Sequence, residues 1–197
     1  MAGEPWDVID ALLAFLDRLE AADFPYAIGG SVASSAFGEP RTSTDSDVIV
    51  DLPRHRFEEF VHVLGSEFYV PRDTAALAVE ARASFSVIHR PTSAKVDIFI
   101  LGRSPLDREL FARRIHRPLL RDSAPVWLSS PEDMIVRKLD WFRRGDAASV
   151  HQWRDVLGIL KVQAGRLDEP FMRRAAAELG VTDLLDRALR LQGPPPR

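Results

Sequence analysis

The chain has 197 residues, no cysteine and a net charge of −3, and 46% of its residues are hydrophobic. That length suits one large domain or a core with a helical appendage, and the apolar content can bury a proper core. Lack of cysteine excludes disulfides, a thiolate zinc site and a cysteine nucleophile, and the mild acidity argues against a strongly basic nucleic-acid binder.

Trp6, Ile9, Leu12, Leu13, Leu16 and Leu19 recur at helical spacing and predict an amphipathic first helix, ended by Asp23 and Pro25. Tyr26–Ile28 predicts a short buried strand stopped by Gly29-Gly30, and Ser31–Phe37 a short helix closed by Gly38 as a C-terminal cap. A polar loop, Glu39–Thr44, leads to a strand over Asp45–Leu52 that Val48-Ile49-Val50 marks as buried. Pro53 suits the first turn of a helix carrying Phe57, Phe60, Val61 and Leu64, with Gly65 as its stop. Phe68–Val70 reads as a strand, and Asp73 as the cap of an alanine-rich helix over Thr74–Ala81.

Phe85–His89 and Lys95–Leu101, joined by Arg90-Pro91-Thr92-Ser93-Ala94, predict a hairpin. A helix follows over Pro105–Arg113, then two short extended segments, Ile115–Leu120 and Pro125–Leu128. Ser130-Pro131-Glu132-Asp133 is a capped helix start, with proline at the first helical position, and that helix runs to Arg144. Three more are predicted: one over Val150–Val162 opening near Asp146, one over Glu169–Leu179 stopped by Gly180, and one capped by Thr182. The expected fold class is therefore α/β (α+β): a mixed β-sheet core with flanking helices over 1–128, a C-terminal helical region over 129–192, and a disordered tail at 193–197.

Charge is unevenly spread. Residues 1–23 carry six acids and only Arg18 as a base, while Arg103–Arg121 carries six arginines against Asp107 and Glu109. The second segment can meet a polyanion or be a solvated helix surface. No basic region followed by an apolar run opens the chain, and no apolar stretch approaches the roughly 20 residues of a membrane helix. The expectation is a cytoplasmic protein with no signal peptide and no membrane partner.

Chemistry concentrates in two places. Asp45 and Asp47 lie two apart on a predicted strand, so both side chains leave one face. Carboxylates held that close repel unless a cation sits between them, and hard oxygen ligands suit Mg²⁺ or Mn²⁺. Asp97 interrupts an otherwise apolar strand, where a charge is costly unless paired or metal-bound. Three carboxylates on neighbouring strands can hold two metal ions that grip the attacking and leaving oxygens. Gly29-Gly30-Ser31 lies between a strand and a helix: glycine admits a phosphate to the backbone, the helix N-terminus favours an anion, and Ser31 adds a hydroxyl. Arg41 and Lys138 are the basic residues that can complete such a cradle.

On these residues the chain resembles the nucleotidyltransferase superfamily of the DNA polymerase β type. That family pairs a Gly-Gly/Ser turn opening a helix with a D-x-D strand a dozen or so residues on and a third acid on a later strand. GGSVASSAFGEPRTSTDSDVIVDL is similar to the form found in stand-alone bacterial and archaeal enzymes, including the abortive-infection toxin type. SPEDMIVRKLDWFRRGDAASVHQWRDVLGIL resembles the family's C-terminal helical stretch, so the resemblance spans Tyr26–Leu160. It implies nucleotide binding by Gly29, Gly30 and Ser31, with Arg41 and Lys138, and Mg²⁺ held by Asp45, Asp47 and Asp97, the last also helping to deprotonate an acceptor hydroxyl. Ser46 departs from the family's apolar residue, and Asp155 is readable either as an ion-pair partner of Arg154 or Lys138 or as a site residue.

The implied activity moves a nucleoside monophosphate from a nucleoside triphosphate to an acceptor such as tRNA or a protein, with a cognate antitoxin as a partner in the toxin branch. The alternatives are transfer to a small hydroxylated molecule of the antibiotic type, or a catalytically degenerate partner-binding subunit. His55, His62, His89, His116 and His151 show no metal-ligand pairing. Trp127, Trp141 and Trp153 read as core or groove walls, although Trp141 shares a predicted helix face with Lys138.

Overall fold

Strand alternation decides which way the central sheet faces. The structure, a computed structural model, describes residues 5–41, 45–120, 123–145 and 150–191. Arg121, the loop residues at 42–44, the helix opening near Asp146 and the tail at 193–197 lie outside the described residues. The chain divides into two units, Met1–Val32 with Thr42–Leu128, and Ala33–Arg41 with Ser129–Arg197.

The first unit holds α1 (Pro5–Ala21), β1 (Tyr26–Ile28), β2 (Ser46–Val50), α3 (Phe57–Leu64), β3 (Phe68–Tyr69), α4 (Arg72–Ala81), β4 (Ser84–His89), β5 (Lys95–Ile100), α5 (Pro105–Ala112), β6 (Ile115–Pro118) and β7 (Pro125–Leu128). A further helix, α2 (Gly30–Phe37), begins in this unit and ends in the second. The strands form one mixed sheet in the order β3-β4-β5-β2-β1-β7-β6. β2 pairs with β5, and β1 with β7, in parallel; the other pairs are antiparallel. The two extended segments after α5 thus complete the sheet rather than merely leading out of it.

The Val48-Ile49-Val50 run marks a buried strand, and in the structure its burial alternates along β2. Ser46, Val48 and Val50 are buried, whereas Asp47 and Ile49 are only half-buried. β4 and β5 follow suit, with Phe85, Val87, Val96, Ile98 and Ile100 inward. On that inner face α1 and α3 are stitched to the sheet by edge-on rings: Phe15 meets Phe60 and Phe68, and Phe60 meets Phe24 and Phe85, at centroid separations of 5.7–6.2 Å. The opposite face is left to Asp47, Ser86, Lys95 and Asp97.

Several ends differ from expectation. Pro71, not Asp73, precedes α4, and Asp73 instead supplies a first-turn acid that complements the helix dipole. The turn at Arg54–Arg56 is a 3₁₀ segment that delays α3 to Phe57.

The second unit holds α6 (Pro131–Arg144), α7 (Val150–Val162), α8 (Glu169–Glu178) and α9 (Thr182–Leu191). Ser130 caps α6 as expected, its side chain accepting from the Asp133 amide at 3.1 Å. Thr182 is already inside α9 rather than its cap. Gly38 closes α2 as expected, donating its amide to the Ser34 carbonyl at 2.7 Å, but without a left-handed backbone. Its reason is close approach: a β-carbon there would lie 2.9 Å from the Ile159 amide nitrogen and 3.1 Å from the Gly158 carbonyl carbon of α7. Lys161 pairs with Glu39 at 2.8 Å, and the Gln163 amide donates to the Phe37 carbonyl at 2.8 Å, so residues 33–41 are bound along α7. Trp141 is not a core residue, being 55% exposed on α6, whereas Lys138 one turn earlier is buried.

Ser46 is fully buried and its hydroxyl has no hydrogen-bond partner among the described residues. An unsatisfied buried hydroxyl costs about 1 kcal/mol or more. Ser46→Ala is therefore expected to stabilise the fold by about 1 kcal/mol, raising the melting temperature by about 2–4 °C in a chain of this size. A lower melting temperature in a thermal scan would contradict this.

Candidate active site

The acidic site grows out of the turn between β1 and α2. Gly29 donates its amide to the Asp47 carbonyl at 2.8 Å, extending the β1–β2 ladder by one bond past Ile28↔Val48. Gly30 is left-handed, at φ 57, and a β-carbon built on it would fall 1.7 Å from Asp47 Oδ2. Glycine is thus required at position 30 both by its backbone angle and by the carboxylate lying against it. Ser31 follows in the first turn of α2 and is buried.

β2 and β5 place the remaining acids. Their parallel register sets Asp47 beside Asp97, on strands that in any sheet run about 4.8 Å apart. Asp45 sits one residue ahead of β2 rather than within it, half-exposed, next to the row that begins Ser46↔Val96. Asp97 is also opposite Ser86 of β4. Its two oxygens are separately engaged: Ser86 Oγ donates to Oδ1 at 2.5 Å, and Lys95 Nζ lies 2.8 Å from Oδ2. The same ammonium lies 3.7 Å from Asp45 Oδ1. Its hydrogen bond to Asp97 first, then the charges of Asp97 and Asp45, hold Lys95 above the ordinary lysine range against partial desolvation.

Neither Lys95 nor Ser86 was picked out by reading the sequence. The signal for Lys95 was present: it stands two before Asp97 in Lys-Val-Asp, the spacing that puts two strand residues on one face. Ser86 is set by tertiary pairing alone.

Donor chemistry in this cluster fits a divalent cation. The ligand atoms are hard carboxylate oxygens on adjacent strands, and a side-chain cation already bridges two of them. Among the described residues, however, no group of three or more His, Asp or Glu side chains is gathered closely enough to hold a metal ion.

Arg41 and Lys138 belong to the second unit and converge on one carboxylate. Arg41 donates Nε to Asp155 Oδ1 at 3.1 Å and Nη2 to Oδ2 at 3.3 Å. Lys138 Nζ is 2.8 Å from Asp155 Oδ2 and donates to Gln152 Oε1 at 3.0 Å. Both Lys138 and Asp155 are buried. Of the two partners the sequence suggested for Asp155, Lys138 is one; Arg41, 114 positions away, is the other cation it holds.

The Arg103–Arg121 segment is less free than its composition suggests. Arg108 pairs with Asp51 at 2.8 Å. Arg114 stacks over Phe111 and Trp127, and desolvation holds its guanidinium below the ordinary arginine range. Among the histidines, His89 is buried and bonded to Thr92 and Glu67, and His116 stacks on Trp127.

No protein-family model matches the chain, and no curated protein matches its sequence. Solved structures do resemble it in fold. The solution structure of the antibiotic-resistance factor ANT(2'')-Ia aligns with a TM-score of 0.53 at 15% identity, over 93% of this chain and 94% of that one. An antigenic nucleotidyltransferase-like protein from Paracoccidioides brasiliensis aligns at 0.51 and 15%, over 93% and 91%. The crystal structure of ANT(2'')-Ia in complex with adenylyl-2''-tobramycin aligns at 0.54 and 13%, over 87% and 96%. The chain has the nucleotidyltransferase fold, as the Gly-Gly-Ser and D-x-D resemblance implied. No described helix is long and apolar enough to cross a membrane.

Two substitutions test the geometry. Gly30→Ala is expected to destabilise by well over the about 1 kcal/mol of a left-handed alanine, because the Asp47 carboxylate must also move. Gly180→Ala, at φ 70 with nothing within 4 Å, carries the left-handed backbone cost alone and is the control in denaturant unfolding. Equal losses would show that the Asp47 contact is immaterial. Asp155→Ala strands the buried Lys138 charge and is expected to cost about 3 kcal/mol; a loss below about 1 kcal/mol in the same measurement would contradict the pairing.

Proposed function

We propose that the protein is a metal-dependent nucleotidyltransferase, moving a nucleoside monophosphate from a nucleoside triphosphate to an acceptor hydroxyl. One observation carries the reading: Asp47 and Asp97 stand in register on adjacent strands, with Asp47 packed against the left-handed Gly30 that opens α2. A degenerate binding subunit would have no use for this arrangement.

Gly29, Gly30 and the buried Ser31 offer backbone and hydroxyl contacts to the triphosphate at a helix N-terminus. Arg41 and Lys138 are assigned to the nucleotide as well, with Asp155 holding both in place. Asp45, Asp47 and Asp97 are the residues that would hold Mg²⁺ or Mn²⁺, which when bound supplies charge neutralisation and Lewis acidity toward the phosphates. The acceptor oxygen attacks the α-phosphorus, the α–β bridging bond breaks, and pyrophosphate leaves. Asp97, oriented by the Ser86 hydroxyl on Oδ1, takes the acceptor proton. Most of the acceleration comes from positioning and neutralised charge, with no covalent enzyme intermediate.

Two observations favour a small hydroxylated acceptor over the RNA or protein acceptor and cognate antitoxin expected of the toxin branch. Arg108 and Arg114 of the basic segment are already committed to Asp51 and to aromatic faces. One structural neighbour is a complex with an adenylylated antibiotic.

The test incubates the protein with each α-labelled triphosphate and Mg²⁺, against pools of aminoglycoside-type hydroxylated molecules, total RNA and cell protein. Label is expected in the small-molecule pool. It should fall at least about a hundredfold in Asp47→Asn or Asp97→Asn, and disappear on chelation of the metal. Label in RNA or protein would restore the toxin-type reading; undiminished transfer by both variants would sink the site.

A further inference from the structure

Lys95 sets a cation within the acid cluster of the first unit, bridging Asp97 Oδ2 at 2.8 Å and Asp45 Oδ1 at 3.7 Å. It stands where the assignment above calls for a divalent ion. Ammonium and metal cannot both take the same carboxylate oxygens at contact distance, so one must give way. Lys95 is built to give way. Its side chain is 43% exposed, its charge rides on a flexible four-carbon stem, and among the described residues the pair of acids holds it. Asp97, by contrast, keeps its orientation when Lys95 leaves, because Ser86 holds the other oxygen, Oδ1.

We propose that Lys95 is a tethered competitor for the divalent metal: its ammonium holds Asp45 and Asp97 together while no metal is bound, and swings out as the metal enters. This rests on the metal-dependent reading above. Two consequences follow. The like-charge repulsion among the acids is relieved in the metal-free protein, so the sheet face is stable before loading. The site also fills only when free divalent ion is abundant enough to displace a covalently tethered cation, so Lys95 sets the threshold for loading.

The experiment is a Mn²⁺ titration of the full chain followed by electron paramagnetic resonance, without nucleotide, on the wild type, Lys95→Met, Lys95→Gln and Lys95→Arg. The two neutral variants are expected to bind Mn²⁺ roughly fivefold more tightly, the worth of one half-exposed ion pair. Lys95→Arg, which keeps the charge, should stay near the wild type. Without metal the neutral variants should also melt below the wild type, with the gap closing at saturating Mn²⁺. A merely structural lysine predicts the opposite sign, since a damaged site binds metal less well. Unchanged or weaker Mn²⁺ binding in Lys95→Met and Lys95→Gln would overturn the proposal while leaving the metal reading intact. A wild type that binds no Mn²⁺ would overturn both.

Discussion

Everything at the acidic site depends on the contact between the Gly29-Gly30 turn and Asp47. One backbone hydrogen bond joins Gly29 to the Asp47 carbonyl, and the absent side chain of Gly30 is the space that the Asp47 carboxylate fills. Turn and acid are therefore placed by each other. The left-handed step at Gly30 also aims the chain into α2, which brings Ser31 and a helix N-terminus to the same end of β1. The parallel pairing of β2 with β5 then carries the constraint outward to Asp97, and the antiparallel pairing of β4 carries it on to Ser86.

The two units use charge in opposite senses. In the first, Asp45 and Asp97 hold the ammonium of Lys95 at the open face of a sheet, an arrangement that attracts cations. In the second, Arg41 and Lys138 share the buried carboxylate of Asp155. Pairing both cations with one acid offsets part of the cost of burying the charges. The close backbone approach of Gly38 to α7 is what allows residue 41 to reach Asp155 within that unit.

Much of this was legible from local pattern. The elements from α1 to β5 follow from apolar spacing and from glycine and proline punctuation, because those signals act within a few residues. Asp45 and Asp47 stood out by their two-residue spacing, and Asp97 because charge inside an apolar strand demands a reason. What local pattern could not reveal was pairing. Val48-Ile49-Val50 reads the same whether a strand is buried on one face or two, and only the aromatic layer of Phe15, Phe60 and Phe85 shows which face is covered. Asp73 and Thr182 are good caps in isolation, but the chain enters both helices a residue or two earlier. Trp141 looks like core by composition, yet it lies on the outward side of α6.

The sequence by itself determined the kinds of groups available: hard oxygen acids at strand spacing, a glycine turn before a helix, and two basic residues set apart from them. The order of those groups carries the resemblance to the nucleotidyltransferases, and the resemblance implied the fold. Only the tertiary structure decided the partners. It put Lys95 between Asp45 and Asp97, Ser86 on the far oxygen of Asp97, and Arg41 with Lys138 on Asp155, and it moved Ala33–Arg41 into the helical unit. The reason is physical: a charge is held by whatever stands within a few ångströms of it, and that is set by strand register and helix packing rather than by distance along the chain.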